Sequence, residues 1–485
     1  MKKTTIALLM FLLTFLLVSC QNEQNVQIKE INTDFTVSSN IRNNYLYQQS
    51  SKLLISGKCE VGAKIIATLY SDIDVEVEEE SIIVDHTGNY EIILNTPKGS
   101  YDNYYLIIKD YHSKFVKKYT NILFGEVHLL LGDHLINDVA ISNQNNIDSE
   151  EKIYFLDYTN PKNEWNVIED LSSINDFRFN LYNILKSSSN YNKCPIGFVN
   201  VTYQNTLIEE WLPLEYATKS PSVISFLSES GKYYENPYQK GQMSYVANNL
   251  LSSLYNYSFG TITLSFGVNE FKDLYGKVNS ENFYNAYSKM LLYVVRNIED
   301  SFKNFKEFVL IQTNNVDVKN VNVLRNIQAQ ISNYCTKVSL IPTFDLQEDE
   351  DNTFNYLLAN RFYDIVYGKK VISEYANHFI DENEHLVTIE FSNTSLFDFN
   401  FDNLKLYDKN GQLLDLEEDK IRGRFNQIII DLSYEIIDEN EEENEVEVGF
   451  YQISRIEYAQ DVVLSGEFIY NNNDLPVVPF IISFE

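Results

Sequence analysis

The segment Ile122 to Ile136, ILFGEVHLLLGDHLI, constrains this chain more than any other. Val127 to Leu131 place apolar side chains on both parities of a two-residue alternation, which predicts a short strand buried on both faces. Such a strand needs a layer above it and a layer below it, the setting of an open α/β sheet. The Gly-Asp-His turn follows at the strand's carboxyl end, where sheets of that kind gather their ligand sites. Chemistry is therefore expected around Asp133 and His134.

From Glu126 to about Lys370 strand and helix patterns alternate. Further strands are predicted at Ile196 to Val201, Thr261 to Phe266, Glu307 to Gln312 and Lys337 to Pro342, with helical periodicity between them, as at Asn282 to Val295 and Val321 to Ile331. Alternation of this kind implies a parallel sheet with helices on both faces. The expected class is α/β: a flavodoxin-like three-layer domain over residues 125–372, flanked by β-sandwich domains at 41–124 and 384–485. A strand order 2-1-3-4-5 puts Cys194 and Cys335 at opposite edges, so both are expected as free thiols.

Lys2 and Lys3 precede an apolar segment, Ile6 to Val18, which has the order of a signal peptide and is too short for a membrane span. It closes on Leu17-Val18-Ser19-Cys20, which resembles the lipobox of bacterial lipoproteins. The resemblance implies a signal peptide over 1–19, a lipid on Cys20, a polar tether over 20–40 and, with Gln21 next in line, the outer membrane of a bacterial envelope. Asp and Glu number 69 against 38 Lys and Arg, for a net charge of -31, which argues against nucleic acid as a partner. The acidic runs Glu78 to Glu80 and Asp438 to Glu443 lack the glycine-punctuated ligand alternation of a calcium loop and read as solvated loops. No metal and no cofactor is implied, and the sequence sets no oligomeric state.

FGEVHLLLGDHLI resembles the first sequence block of the sialate O-acetylesterase family of SGNH hydrolases, roughly F-G-E-V-W-L-x-S-G-Q-S-N-M. A more specific match is PIGFVNVTYQNTLIEEWLPLE, Pro195 to Glu215, against P-I-G-L-I-N-V-S-W-G-G-T-x-I-E-x-W-x-P. LSFGVNEF sets Gly267 and Asn269 where the family has W-Y-Q-G-E-S-N and other SGNH members have G-x-N-D. Asp345-Leu346 and Arg361-Phe362 keep parts of the block that follows the fifth strand, and Tyr470, Asn471, Leu475, Pro476, Pro479 and Phe480 keep the closing one. The resemblance covers nearly the whole mature chain and implies an SGNH-type domain between two β-domains.

It also implies a serine nucleophile, a histidine base and an oxyanion hole of backbone N–H groups and an asparagine amide. His134 stands at the place of the serine, after Asp133. Gln204-Asn205 stand where the family has Gly-Gly, so side chains crowd a backbone that should approach the oxyanion. The loop after the fifth strand holds no histidine: Asp351 or Thr353 falls at its place, depending on whether Arg361 or Asp345 anchors the alignment. Asp133, His134, Gln204, Asn205, Asn269 and Asp351 are thus expected to form a vestigial site without acyl transfer. The expected protein is lipid-anchored and exported, with a cleft open to glycans or other surface partners. Two alternatives stay open, an active carbohydrate O-acetylesterase with non-standard catalytic residues and a structural surface lipoprotein.

Overall fold

The computed structural model describes residues 35–112, 114–132, 153–157, 164–168, 176–189, 191, 193–202, 206–217, 219–229, 244–267, 271, 280–318, 320–335, 337–347, 353–393, 395–436, 447–461 and 464–484. The chain opens with strands β1 (Thr36–Val37), β2 (Tyr45–Gln48), β3 (Lys52–Lys58), β4 (Lys64–Ser71), β5 (Glu76–Ile83), β6 (Asn89–Asn95) and β7 (Ser100–Asp110). They form a three-stranded sheet, β1-β3-β6, and one flank of a larger sheet in which β4 pairs β5 and β7. Alternation decides the facing: Leu53, Ile55, Ile65, Ala67, Leu69, Ile92 and Leu94 are buried, while the charged run of β5 stays exposed along an edge.

β8 (Val116–Gly132) is the strand on which the rest is built. Its first half alternates polar and apolar residues and runs antiparallel to β7. Its second half, from Glu126 on, is buried at every position and runs parallel to β11 (Ile196–Thr202) on one side and β12 (Phe259–Ser265) on the other. β9 (Ile153–Asp157) pairs in parallel with β11, and β10 (Asn166–Ile168) closes that side in antiparallel. β13 (Phe305–Ile311) and β14 (Val338–Ile341) extend the other side in parallel. Helices α1 (Phe177–Ser187), α2 (Ser280–Ser301), α3 (Val321–Tyr334) and α4 (Thr353–Val366) cover this part of the sheet.

The expected flavodoxin-like three-layer domain is not what forms. Strand residues outnumber helical ones, and the parallel strands belong to an 11-stranded mixed sheet. The reason is the length of β8. One unbroken strand of 17 residues carries the antiparallel N-terminal sheet directly into the parallel strands, so no separate α/β layer closes on itself. Beyond α4 the chain makes further antiparallel sheets. One four-stranded sheet holds Tyr375–Asp381 and Leu386–Phe391, and another holds Leu404–Asp408 and Ile453–Tyr458. Val387, Ile389, Leu406, Ile430, Ile456 and Phe344 share their core, the last from the loop after β14.

Glu126 sits where β8 changes partners and has no exposed surface. A buried carboxylate is tolerated only with partners, and this one has four. The side-chain amides of Gln48 and Gln49 donate at 3.2 Å each, the Tyr367 hydroxyl at 3.1 Å and Lys306 Nζ at 3.2 Å. The cluster ties β2, β8, β13 and the end of α4 together. Cys59, Cys194 and Cys335 are buried and form no disulfide among the described residues.

Candidate active site

The carboxyl ends of five parallel strands lie in one register row. Thr202 pairs with Gly132, Gly132 with Ser265, Ser265 with Ile311, and Ile311 with Ile341. Every segment that follows one of these strands starts from this edge, as in other open α/β sheets. Asp133, His134, Gln204, Asn205, Asn269 and Asp351 all lie outside the described residues. In sequence they follow Gly132, Thr202, Gly267 and Gln347, the last described residues after β8, β11, β12 and β14.

Two glycines shape the edge. Gly132 has φ +129°, and a Cβ there would fall 1.8 Å from the Ser265 carbonyl oxygen of the neighbouring strand. Gly267 has φ +124°, and its Cβ would meet the Tyr287 hydroxyl at 2.6 Å and Leu324 Cδ1 at 2.8 Å. Only glycine accepts that backbone and that proximity. Two adjacent strands therefore release their loops through turns that need glycine.

The loops are fastened from behind by α3. Gln328, fully buried, donates from Nε2 to the Phe266 carbonyl at 2.8 Å, and its Oε1 accepts from the Thr313 N–H at 2.8 Å. Arg325, also fully buried, donates from Nη2 to the Asn314 carbonyl at 2.7 Å and from Nε to the Thr313 carbonyl at 3.2 Å. Burial lowers the guanidinium pKa to about 10, so it stays charged at neutral pH. On the other side, the Trp211 indole N–H donates to Thr206 Oγ1 at 3.1 Å while its ring meets Phe266 edge-on at 5.6 Å. These contacts brace the loops after β11, β12 and β13 against one another.

After β14 the brace is ionic. Arg361 on α4 reaches Asp345 with two N–H donors, at 2.7 and 2.5 Å, and the Pro342 carbonyl at 2.8 Å. The Tyr470 hydroxyl, from the C-terminal sheets, donates to the same carboxylate at 2.9 Å. Burial pulls the Arg361 pKa down, but the adjoining Asp345 carboxylate outweighs it and the net shift is upward. The fork-to-fork geometry is the strong form of the pair.

Of the six histidines in the chain, five are described and none of them is at this edge. His86 and His112 belong to the N-terminal sheets. His378 is half-buried, with Nδ1 2.6 Å from the Tyr375 hydroxyl, and His385 stacks on Phe450 at 4.6 Å. His128 lies four residues before Gly132 on β8, about 13 Å along the strand at 3.3 Å per residue. In sequence only His134 adjoins the edge. Ser265 does end a strand there, but it is 1% exposed and its hydroxyl has no hydrogen-bond partner among the described residues. Among the described residues no imidazole is placed at this edge to activate it. Among the described residues no cluster of His, Cys, Asp and Glu could hold a metal ion.

No protein-family model matches the sequence, and no curated protein matches it. Solved structures do. A carbohydrate acetylesterase from Xanthomonas citri superposes with a TM-score of 0.61 at 14% identity, over 93% of this chain and 99% of that one. The chain shares the fold of that carbohydrate acetylesterase. An acetyl xylan esterase from Butyrivibrio proteoclasticus aligns over 70% of this chain and 97% of that one, at 8% identity, with a TM-score of only 0.27. At 14% identity the acetylesterase likeness is one of architecture, and the residues at the strand ends have to be judged from this chain.

His128 serves stability instead of catalysis. It is fully buried, its Nδ1 lies 2.8 Å from Thr261 Oγ1, and its ring stacks on Phe198 at 5.1 Å. Burial lowers its pKa from 6.5 to about 4; Glu126 works against that shift, and Lys306 adds to it. Below pH 6.5 the unfolded chain takes up a proton that the folded chain refuses, so stability falls as the pH drops from 6.5 towards 4. At 1.36 kcal/mol per pKa unit the loss reaches about 3 kcal/mol. Urea unfolding at pH 7 and pH 4.5 should show a steeper loss for the natural chain than for the His128→Gln variant. Equal slopes would refute the assignment.

Sequence reading did not single out Arg325, Gln328, Thr313 or Ser265, which are ordinary polar residues in helix and strand patterns. Asp345, Arg361 and Tyr470 it did single out, as separate remnants of family blocks. Their meeting at one carboxylate is a fact of the fold.

Proposed function

We propose that this protein is a lipid-anchored component of the bacterial cell envelope, built on a carbohydrate-acetylesterase fold, whose strand-end cleft holds glycans without hydrolysing their acetyl esters. The observation that carries the reading is the distribution of histidines. An SGNH-type hydrolase needs a serine and an imidazole at the carboxyl edge of the sheet. The sequence has His134 where the serine belongs, and each of the other five histidines is described elsewhere. On this reading the nucleophile, the base and the oxyanion-hole glycines are replaced by polar side chains. Asp133, His134, Gln204, Asn205, Asn269 and Asp351 are the groups proposed to contact the ligand.

Anchoring rests on Cys20 and its lipobox-like setting. Two or three acyl chains give stable attachment where one gives marginal binding. Mass spectrometry of the mature N-terminus should find a lipidated Cys20, and an unmodified one on exported protein would end that part of the proposal. Binding is tested on a glycan array, where the natural chain should retain acetylated glycans and the His134→Ala variant should retain them less. An array with no signal would favour a purely structural lipoprotein.

The shared fold with a carbohydrate acetylesterase favours one other reading, an active carbohydrate O-acetylesterase in which His134 takes a direct part. Turnover of acetylated sugars separates the two.

A further inference from the structure

A cavity of about 230 Å³ lies where α3 meets the start of the Tyr375–Asp381 strand and the segment around Val478 to Ile481. Its walls are chemically divided. Asn326 and Gln330 of α3 supply amides, Glu374 supplies a carboxylate, and Tyr375 and Phe480 supply apolar surface. The aromatic wall is rigid, because Phe480 stacks between Tyr375 at 5.8 Å and Tyr458 at 5.5 Å. Its mouth is fixed as well. Asn326 exchanges hydrogen bonds with Gln460 at 2.7 and 3.2 Å, and the Val478 N–H donates to the Ser373 carbonyl at 3.1 Å.

Glu374 is the unusual member. Its carboxyl has no hydrogen-bond or ion-pair partner among the described residues, and burial raises its pKa. Among the described residues no Lys, Arg or His lines the cavity. A half-buried carboxylate facing a cavity is stabilised by any ligand that brings it donors. An anionic ligand would find repulsion and no counter-charge. The cavity is smaller than the ~300–1,000 Å³ clefts that take drug-sized ligands, though it has their mixture of apolar wall and few polar groups. One ring with several hydroxyl donors and an apolar face meets all of these conditions.

We infer that this cavity is a binding site for a single sugar ring that is uncharged or amine-bearing, with Glu374 and the Gln330 amide taking its polar groups and the ring edges of Tyr375 and Phe480 lining its apolar side. The site goes beyond the proposed strand-end cleft and stands without it. An esterase or glycan result at the cleft leaves it untouched.

Saturation-transfer NMR on the full chain in detergent tests it with methyl β-glucopyranoside, glucosamine and N-acetylneuraminic acid. The first two should receive saturation that depends on Glu374, and any saturation of the anionic sugar should be the same in Glu374→Ala. Binding should weaken about tenfold or more in Glu374→Ala, the loss expected for hydrogen bonds to a charged group, and should weaken in Gln330→Ala, with melting curves confirming that both variants fold. The signal should survive in His134→Ala. Silence from both non-anionic sugars, unchanged binding in Glu374→Ala, Glu374-dependent binding of the anionic sugar, or loss of the signal in His134→Ala would each overturn the assignment.

Discussion

The Arg361→Met variant should lose about 3–5 kcal/mol of stability, the cost of breaking one side of a buried ion pair. Asp345 is the reason. Its side chain is 1% exposed, and Arg361 supplies two of the donors that compensate its charge. With the guanidinium gone, the Tyr470 hydroxyl alone would face a buried carboxylate. The damage would spread, since the carboxylate joins the loop after β14, helix α4 and the C-terminal sheets. Replacing both partners, Arg361→Met with Asp345→Leu, removes the charge as well as its counter-charge and should recover much of the loss. Urea midpoints of the two variants decide the matter. A single variant within about 1 kcal/mol of the natural chain, or a double variant no better than the single, would contradict this account.

The Gly132→Ala variant should be at least as severe, with a loss of about 3 kcal/mol or more and no stable fold as the extreme outcome. Two effects add. The residue sits at φ +129°, outside the range of L side chains, and the new Cβ would fall 1.8 Å from a backbone oxygen of β12 that a paired strand holds in place. Gly267→Ala makes the comparison sharp. Its φ of +124° carries similar strain, but the Cβ meets the ends of the Tyr287 and Leu324 side chains and not a backbone atom. Gly267→Ala should therefore cost about 1–3 kcal/mol, less than Gly132→Ala. Chemical unfolding of both variants would show the order, and the reverse order would refute the assigned role of the Gly132–Ser265 contact.

The edge itself was legible in the sequence. Val127 to Leu131, Ile196 to Val201, Thr261 to Phe266, Glu307 to Gln312 and Lys337 to Pro342 each overlap a strand of the sheet, because buried parallel strands announce themselves as short apolar runs. The first half of β8 was not legible. VKKYTNILFG alternates like the edge of a sandwich, and nothing local says that it continues without a break into EVHLLLG. That continuity turned an expected three-layer domain into part of a mixed sheet. β9 and β10 were missed for another reason: they are short and follow a long polar stretch that has no strand signal of its own.

The site divides in the same way. Gly132 and Gly267 were marked by family blocks, and their positive φ supplies the physical reason for glycine at those places. Arg325 and Gln328 act by capping carbonyls of other elements, a pairing over 11 to 62 residues that periodicity does not report. His128 read as one residue of an apolar strand, and only its packing between Thr261 and Phe198 makes it a pH-sensitive one.

The measurement that bears most directly on the central claim is acetyl-ester turnover by the purified natural chain and its His134→Ala variant, run beside labelling with a fluorophosphonate probe. Loss of one oxyanion donor alone costs about a hundredfold or more, and the proposed reading takes away the serine and the base as well. Neither protein should release acetate from acetylated sialic acid or p-nitrophenyl acetate above the uncatalysed rate, and the probe should label no serine. Turnover that disappears in the His134→Ala variant would contradict the account in favour of histidine-based catalysis, and a labelled serine would contradict it in favour of an ordinary acyl-enzyme.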